Sequence, residues 1–556
     1  MVPRSSCFDC ICSCGKVLLQ SWLELQVTHR GGKYSIERLL ALEEYTKTAS
    51  GLRVLIVCLG TPLPMMTLTM AQELLPLERP SAGWRENHGF WVRLALLGAV
   101  IAHTAAVQAH YHVDQVYLSR MQRLSIGGLV GISFSIITMG ISSASIFPLP
   151  FIVITGVPLF YPLLLLSLFI VGSEAFYRLI SRRKKLFRYL CFLGLQVGMT
   201  VICPSYQVLF DHTTDFWSEL AVLFLLPVLK IILKNFLSYS VSHMEDLVPE
   251  TVIFTVDFFN AVYLATCMQR ANSVFTMAII MAIDLLQTVF ALHRLDRQTC
   301  RILAELRVTM ENENHTDNVN LLSAIHALCD NPRKLKRQAR GVIRVYSCMP
   351  HRLTASGSGL LRRLHGPMGD AAKTESWITR PNLLESLKAP LASIQMSVRP
   401  SSPVDTIQAQ PKQSPATDQP NFLSEALEVI FTSECLVLTE YLEAVIPILY
   451  GLYVKVLVNL PSAQYHIELQ GTTADNVDSK LQSIFVYAVL EFASLAVLIL
   501  VMLKYCGVQA LYQLAFVFEK QTILVQAKHV TWALITLCFR VVHFGVDFTF
   551  KFGWTR

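Results

Sequence analysis

Two neighbouring apolar stretches of this sequence each carry a carboxylate that is followed three positions later by an amide. In the first stretch these residues are Asp257 and Asn260, and in the second they are Asp284 and Gln287. Residues three positions apart share one face of an α-helix, so each acid is predicted to point the same way as its amide. An ionisable group inside a membrane span costs free energy to bury. Its presence there therefore indicates a site for a proton, a cation or a small polar solute.

Three further ionisable side chains fall inside predicted membrane spans, namely His103, Lys230 and Glu491. His103 and Lys230 are expected at a depth similar to that of Asp257 and Asp284, and Glu491 could join the same cavity. Such a group would suit the handling of protons or cations. Two other interpretations stay open: Lys230 and Asp257 form a plain structural ion pair, or one acid faces a water-filled vestibule.

The composition indicates a membrane protein. Hydrophobic residues make up 53% of the 556 residues and charged residues 16%, whereas about a quarter of the residues of a soluble protein are charged. We therefore predict an all-α, polytopic transmembrane helix bundle of about 10 to 11 spans. The net charge of +7 lies mainly between the apolar runs, which indicates contact with lipid head groups rather than nucleic acid. Catalytic and nucleotide-binding spacings are lacking, so neither an enzyme nor a cofactor is expected.

The chain divides into four regions by polarity. Residues 1–53 form a basic cytosolic segment, and 54–292 form a membrane core of about eight spans. A cytosolic loop at 293–433 has a helical first part and a Ser/Pro/Gln-rich part, 354–420, that is predicted to be disordered. A second membrane region occupies 434–556.

Local patterns predict details of these regions. The stretch 35–47 reads as an amphipathic helix on the bilayer surface. In the third span, Gly127 and Gly131 form a small-xxx-small pair that permits close helix packing. The fifth span is predicted to end at Pro204. Residues 508–528 are too polar to be assigned as a crossing.

The distribution of lysine and arginine predicts the orientation. With the N-terminus in the cytosol, the basic loops fall inside and the loops poor in lysine and arginine fall outside. One inside loop contains the run Arg182, Arg183, Lys184 and Lys185. This run is expected to contact anionic lipid head groups.

The fourteen cysteines are scattered, so a disulfide scaffold is not expected. Four of them crowd near the N-terminus: Cys7, Cys10, Cys12 and Cys14. S-acylation is one interpretation of this cluster, a metal site is a weaker one, and the absence of any role is a third. The topology also puts Cys203 and Cys267 at the outer ends of their spans, where a disulfide could form.

Three segments resemble a large family of multi-pass membrane proteins from oomycetes. They are YSIERLLALEEYTKTASGLRVLIVCLGTPLP at 34–64, DFFNAVYLATCMQ at 257–269 and HFGVDFTFKF at 543–552. The resemblance covers most of the chain, including the long loop before the ninth span. It implies a multi-pass membrane protein, and it implies no particular activity, ligand or functional residue.

The sequence thus predicts a secondary transporter or ion-coupled permease that moves a small solute or cation through a site at Asp257 and Asp284. The alternative is a membrane receptor or scaffold that does not transport and acts through the cytosolic loop 293–433.

Overall fold

The computed structural model describes most of the chain outside the N-terminal segment and the long loop. The described residues are 34–113, 116–213, 216–270, 274–310, 344–365 and 422–546. The four N-terminal cysteines lie outside them, as do most of the predicted disordered part and the predicted helical part of the loop. Apart from one isolated bridge between His466 and Val541, the regular structure of these residues is helical.

The helices fall into two sets along the chain. The first set is α1 (Ile36–Thr48), α2 (Gly51–Gly60), α3 (Leu63–Glu73), α4 (His88–His112), α5 (Arg120–Ala144), α6 (Val157–Val171), α7 (Ser173–Ser181) and α8 (Arg183–Asp211). The second set is α9 (Phe216–Val241), α10 (Val248–Arg270), α11 (Val274–Met310), α12 (Ala355–His365), α13 (Phe422–Leu457), α14 (Val477–Val501), α15 (Ala510–Lys520) and α16 (Thr522–Thr536).

Local chemistry fixes several helix ends. Ser35, Ser50 and Ser119 are N-caps whose hydroxyls accept a backbone N–H from the first turn of α1, α2 and α5. At α5 the Gln122 side chain completes a capping box with the backbone N–H of Ser119. Between α2 and α3 the helix breaks at Pro62, which has no N–H to donate.

Within the described ranges, eight helical stretches are long and apolar enough to cross a membrane. One of them, 220–269, comprises two helices, α9 and α10, that are joined by the 3-10 turn Ser242–Leu247. The protein is therefore an all-α, multi-pass membrane bundle.

Contacts between distant residues define two faces of the bundle. On the α1 face, Arg38 Nη2 lies 2.6 Å from Glu434 Oε1 in the first half of α13. On the opposite face, Glu73 Oε2 at the end of α3 lies 3.1 Å from His466 Nε2, which follows α13. The long helices run alternately between these faces.

The helix α15 stays on the α1 face. It packs against α1 and α2, and both oxygens of the Glu519 carboxylate accept hydrogen bonds from Arg53 at 2.8 Å. Its 11 residues span about 16 Å, about half of a hydrocarbon core. The last candidate crossing among the described residues is 522–540, so it begins inside the stretch 508–528 that was too polar to be assigned as a crossing.

The prediction that 35–47 lies on the bilayer surface is wrong. Ile36 and Arg38 are fully buried, because α15 and the loop segment 344–354 cover α1. The Glu37 carboxylate accepts the backbone N–H groups of Ser347 at 2.9 Å and His351 at 2.7 Å. The polar residues in the first turn of α1 are thus bound by protein instead of facing water.

Three predicted boundaries also need correction. The helix α8 continues through Pro204 to Asp211, since neighbouring helices in a membrane can accommodate the proline. Residues 355–365 form α12, which packs on α1, although disorder was expected from 354. The helices α11 and α13 extend past the predicted membrane boundaries, to Met310 and from Phe422.

The helix α10 lies at the centre of the bundle. It packs against α8, α9, α13, α14 and α16, and between 251 and 269 each residue except Asn260 is buried. A helix that is apolar on all sides favours such a central position. Its one accessible position and its buried acid, Asp257, belong to the candidate site.

The predicted close packing at Gly127 and Gly131 is confirmed. A Cβ atom on Gly131 would lie 2.2 Å from the Ala95 carbonyl oxygen of α4, and one on Gly127 would lie 2.8 Å from the Ala99 oxygen. The α4–α5 contact therefore requires glycine at both positions.

Candidate functional site

Five helices bring buried and half-buried charges together midway between the two faces. The residues are Lys230 and Lys234 of α9, Asp257 of α10, Asp284 of α11, Glu440 and Glu443 of α13, and Glu491 of α14. Glu443 follows Glu434 of the α1 face by nine residues, which is about 13 Å along a helix. The group therefore lies inside the bundle.

Asp257 is bound by two lysines. Lys234 Nζ lies 2.8 Å from its Oδ2 atom and Lys230 Nζ lies 3.3 Å from its Oδ1 atom. The Thr439 hydroxyl donates a hydrogen bond to Oδ2 at 3.4 Å. Lys230 also lies 2.5 Å from Glu443 Oε1. Lys230 and Asp257 thus form an ion pair, but Lys230 is shared between two acids on different helices.

Three carboxylates converge beside this pair. Single oxygen atoms of Asp284, Glu443 and Glu491 lie within 4.8 Å of one another. The Tyr487 hydroxyl donates a hydrogen bond to Asp284 Oδ2 at 2.7 Å. Among the described residues, no lysine or arginine forms an ion pair with Asp284 or Glu491.

A fourth carboxylate is one helical turn away. Glu440 accepts hydrogen bonds from the hydroxyls of Thr288 at 2.8 Å and Ser494 at 2.9 Å. These donors are neutral, so they solvate Glu440 without cancelling its charge.

The charges of this group do not balance. If each side chain were ionised, five carboxylates would face two lysines. Two carboxylates 4.8 Å apart repel each other by about 3.5 kcal/mol at an effective dielectric constant of about 20. The group therefore requires shared protons or a bound cation to be stable in the interior.

A cavity of about 40 Å³ adjoins the carboxylates. Its polar lining includes Lys230, Asn260, Asp284 and Gln287, and Cys267 also lines it. This volume exceeds the roughly 15 Å³ that one water molecule needs. Both predicted amides and the acid of the second pair thus face one small polar space.

The structure brings together most of the predicted site residues. Asp257 is paired with the two lysines and is not part of the cavity lining. Glu491 lies beside Asp284. His103 is not part of this group. Its Cβ atom faces Gly127 across the α4–α5 contact, because the close packing of these two helices turns that face of α4 away from α10 and α11.

The sequence reasoning missed Lys234, Glu440, Glu443 and Tyr487. A signal was present in the ninth span, where Glu440 and Glu443 lie three residues apart in an apolar stretch. The argument that singled out Asp257 and Asp284 applies equally to them. Tyr487 carries no such signal, since tyrosine is ordinary in a membrane span.

The donor set suits a proton or a hard cation. Carboxylate oxygens are the ligands preferred by Ca²⁺, Mg²⁺ and Mn²⁺. Asp284, Glu443 and Glu491 could each supply one such oxygen. The same three groups could instead share a proton.

The predicted disulfide is not formed. Cys203 and Cys267 are both buried thiols. Cys267 lines the polar cavity, whereas Cys203 is not part of its lining.

A second buried charge network lies on the opposite face. Arg93 Nη1 contacts Glu73 Oε2 at 2.9 Å, and Arg540 Nη1 contacts Glu468 Oε2 at 3.1 Å. His466 lies between the two acids. Burial alone would lower the pKa of His466, but the hydrogen bonds to Glu468 and Glu73 outweigh it and raise the pKa to about 9. Here each acid has at least one cation beside it, which is typical of a structural network.

Comparisons of this chain with protein-family models, with curated proteins and with solved structures gave no match.

Proposed function

We propose that this protein is a secondary transporter in which a proton or a hard metal cation couples to the movement of a small polar solute. The coupling ion would bind where Asp284, Glu443 and Glu491 converge. The observation that supports this proposal is the cluster of three carboxylates within 4.8 Å, with one lysine bound to it.

Lys230 links the ion site to the cavity. It contacts Asp257 and Glu443 and also lines the cavity. An ion that neutralises Glu443 weakens the attraction between Glu443 and Lys230, so Lys230 would shift towards Asp257. That shift would change both the shape and the charge of the cavity, which is the coupling that a transporter requires.

The solute would bind at this cavity once the shift of Lys230 has widened it, because about 40 Å³ holds only about two or three water molecules. Asn260 and Gln287 offer amide donors and acceptors there, and Lys230 and Asp284 offer opposite charges. A small zwitterionic or hydrogen-bonding solute matches this lining better than an apolar one.

The test is a flux measurement in proteoliposomes that contain a pH-sensitive dye and carry an imposed membrane potential. We expect uptake of protons, or of radioactive Na⁺, Ca²⁺ or Mn²⁺, by the unaltered protein. The substitutions Asp284→Asn, Glu443→Gln and Glu491→Gln should each reduce that flux at least about tenfold. The matched control is Asp478→Asn, because Asp478 lies on the same helix as Glu491 but is exposed and paired with Lys455.

Thermal unfolding of the same variants distinguishes a proton from a metal ion. A metal that binds the folded protein raises the unfolding temperature as its concentration increases, and Glu491→Gln should remove this effect. A site for protons alone gives a flux that depends on pH and no stabilisation by metal. The transporter proposal is lost if neither flux nor ion-dependent stability is seen.

A second candidate function is a receptor or scaffold that acts through the cytosolic loop. The observation in its favour is that part of the loop is bound to the bundle: the Asp246 carboxylate accepts N–H groups from Ser35 at 3.0 Å and Cys348 at 3.3 Å. Deletion of 366–421 discriminates between the two. It should leave flux intact in a transporter and abolish the biological activity of a scaffold.

We also propose that the α1 face is cytosolic and that the basic run at 182–185 contacts anionic lipid head groups. Arg182, which lies between α7 and α8, and Arg183 and Lys184 at the start of α8 are exposed. Substitution of all four basic residues of the run by glutamine should reduce the ratio of phosphatidylserine to phosphatidylcholine that the purified protein retains. Equal retention of phosphatidylserine would contradict the proposal.

A further inference from the structure

A second cavity, of about 100 Å³, lies among α4, α5, α6, α8 and α16. No lysine, arginine, histidine or acidic residue lines it. Its walls are mainly aliphatic and aromatic side chains, among them Leu94, Leu97, Phe134, Val157, Phe160 and Leu193. The helices α4, α5, α6 and α16 contribute nothing to the lining of the charged cavity, so this is a separate site.

Three buried N–H donors on residues that line the cavity have no acceptor in the described part of the chain. They are Gln108 Nε2, Gln196 Nε2 and Trp532 Nε1, on residues that are 1%, 7% and 3% exposed. The other polar groups nearby are already engaged. The Thr104 hydroxyl donates to the Ala527 carbonyl oxygen at 3.0 Å and lies 2.7 Å from the Thr531 hydroxyl.

Donors of this kind are costly to bury unless something pairs with them. They come from α4, α8 and α16, so no single helix accounts for their arrangement. An apolar space with a few convergent polar groups is the usual form of a small-molecule site. The donors here are neutral and lack acceptors, so they fit a hydrogen-bond acceptor without a positive charge.

The rim of the cavity faces outwards at α6. Val157, Phe160 and Tyr161 of α6 and Val197 of α8 line it and are half-buried, whereas the donors are buried. The helix α6 packs mainly against α5 and α7. An apolar molecule dissolved in the bilayer could therefore enter beside α6 and reach the donors with its polar end.

We infer that this cavity binds a neutral, largely apolar molecule that carries a hydrogen-bond acceptor such as a ketone or ester carbonyl. The acceptor lies at Gln108, Gln196 and Trp532, and the apolar part lies against α5 and α6. The site is independent of the proposed ion site, and it would persist if the protein did not transport.

Benzophenone tests the inference, because it is a neutral aromatic ketone that inserts on irradiation into C–H bonds near its carbonyl. We expect adducts of the purified, full-length protein in peptides that contain 94–108, 193–200 or 531–535, mapped by mass spectrometry. Acetophenone should compete with this labelling. Ethylbenzene, which has a similar shape but no carbonyl, should compete about tenfold less well, as expected for the loss of hydrogen bonds to buried donors.

Variants show whether the donors are responsible. Gln196→Leu and Trp532→Phe should each lower labelling of the cavity several-fold and should raise the unfolding temperature of the ligand-free protein, since each removes an unpaired buried donor. The matched control is Gln72→Leu. The amide of Gln72 is also buried and unpaired, but Gln72 is not part of the cavity lining, so labelling should not change.

Two outcomes would overturn the inference. The absence of adducts from the cavity peptides would mean that water alone occupies the space. Equal competition by ethylbenzene and acetophenone, together with unchanged labelling of Gln196→Leu and Trp532→Phe, would show adventitious partitioning into an apolar void.

Discussion

At the residue scale, the two buried charge networks differ in balance. The network of Glu73, Arg93 and His466 on the opposite face pairs its acids with cations. In the central group, Asp284 and Glu491 lie together and form no ion pair with a lysine or arginine among the described residues. Acids that are paired with cations hold a fold together, and we propose that the excess of acids in the central group keeps a place for an ion. Substitutions that neutralise an acid should therefore change the free energy of unfolding in opposite directions, depending on whether the acid is paired with a cation.

Asp257→Asn and Glu491→Gln should change stability in opposite directions. Asp257→Asn leaves Lys234, which is buried and lies 2.8 Å from that carboxylate, without its acid. We expect a loss of about 3–5 kcal/mol in the free energy of unfolding. Glu491→Gln removes one of three mutually repelling carboxylates, so the ion-free protein should be unchanged or more stable by roughly 1 kcal/mol. Denaturant unfolding in detergent measures both, with Asp478→Asn as control. Equal losses would contradict the assignment of different roles.

His466 should make stability depend on pH. Its pKa is raised from the ordinary 6.5 to about 9 in the folded protein. The protonated form therefore stabilises the fold fully below pH 6.5, and this contribution is lost as the pH rises through about 9. The full effect is about 3 kcal/mol. Unfolding measured at pH 6 and pH 10 should show this loss in the unaltered protein.

The variant His466→Gln should lose that dependence while it retains the Arg93–Glu73 ion pair. His88→Gln provides the control, because His88 is exposed at the start of α4. If His466→Gln showed the same change in stability between pH 6 and pH 10 as the unaltered protein, His466 would not be its source.

At the element scale, α10 and the α4–α5 pair explain how the bundle positions its sites. The helix α10 is buried on all sides and presents Asn260 to the polar cavity. The α4–α5 contact depends on glycine, and Gly98 of α4 lines the apolar cavity beside this contact. The polar cavity therefore lies beside the central helix α10, and the apolar cavity lies beside the close α4–α5 contact.

Gly131→Ala should separate α4 from α5. The new methyl group would lie 2.2 Å from the Ala95 carbonyl oxygen and 2.8 Å from the Ala99 Cβ atom. We expect a loss of about 1–3 kcal/mol, as for other overpacked contacts. Gly140→Ala on the same helix meets no atom within 4 Å and should be neutral or slightly stabilising, because alanine favours helix. Thermal unfolding of both variants measures the difference, and a similar effect of the two would contradict the packing argument.

Much of the fold could be predicted from element-scale patterns. Apolar length and the spacing of polar gaps predicted the long helices, because the bilayer imposes both. Tertiary contacts decided the rest. Pro204 does not end α8, and α1 is covered by a loop segment more than 300 residues later in the chain. Neither feature can be predicted from the local sequence.

The candidate site was predictable in part for a related reason. An acid inside an apolar span is visible in the sequence, which is why Asp257, Asp284 and Glu491 could be proposed. Which acids meet depends on how helices rotate and pack. The exclusion of His103 and the inclusion of Glu443 therefore required the structure.

At the scale of the whole molecule, a layer of protein closes the α1 face. It consists of α1, the segment 344–354 and α15, which are joined by Glu37, Arg38 and Arg53 to distant parts of the chain. The opposite face is closed by the balanced network around Glu73. The charged group lies between these two closed ends. A transporter would have to open them in turn, so their sidedness in the membrane matters.

Cysteine labelling of intact cells tests that sidedness. Ser181 and Lys520 are exposed on the α1 face, and Ala474 is exposed in the loop after α13 on the opposite face. A membrane-impermeant maleimide should therefore label Ala474→Cys in intact cells, and should label Ser181→Cys and Lys520→Cys only after permeabilisation. The unaltered protein provides the background from its native thiols. Labelling of Ser181→Cys but not Ala474→Cys in intact cells would invert the orientation. Labelling of Lys520→Cys together with Ala474→Cys would mean that 510–520 crosses the membrane, which the contacts of α15 with α1 and α2 contradict.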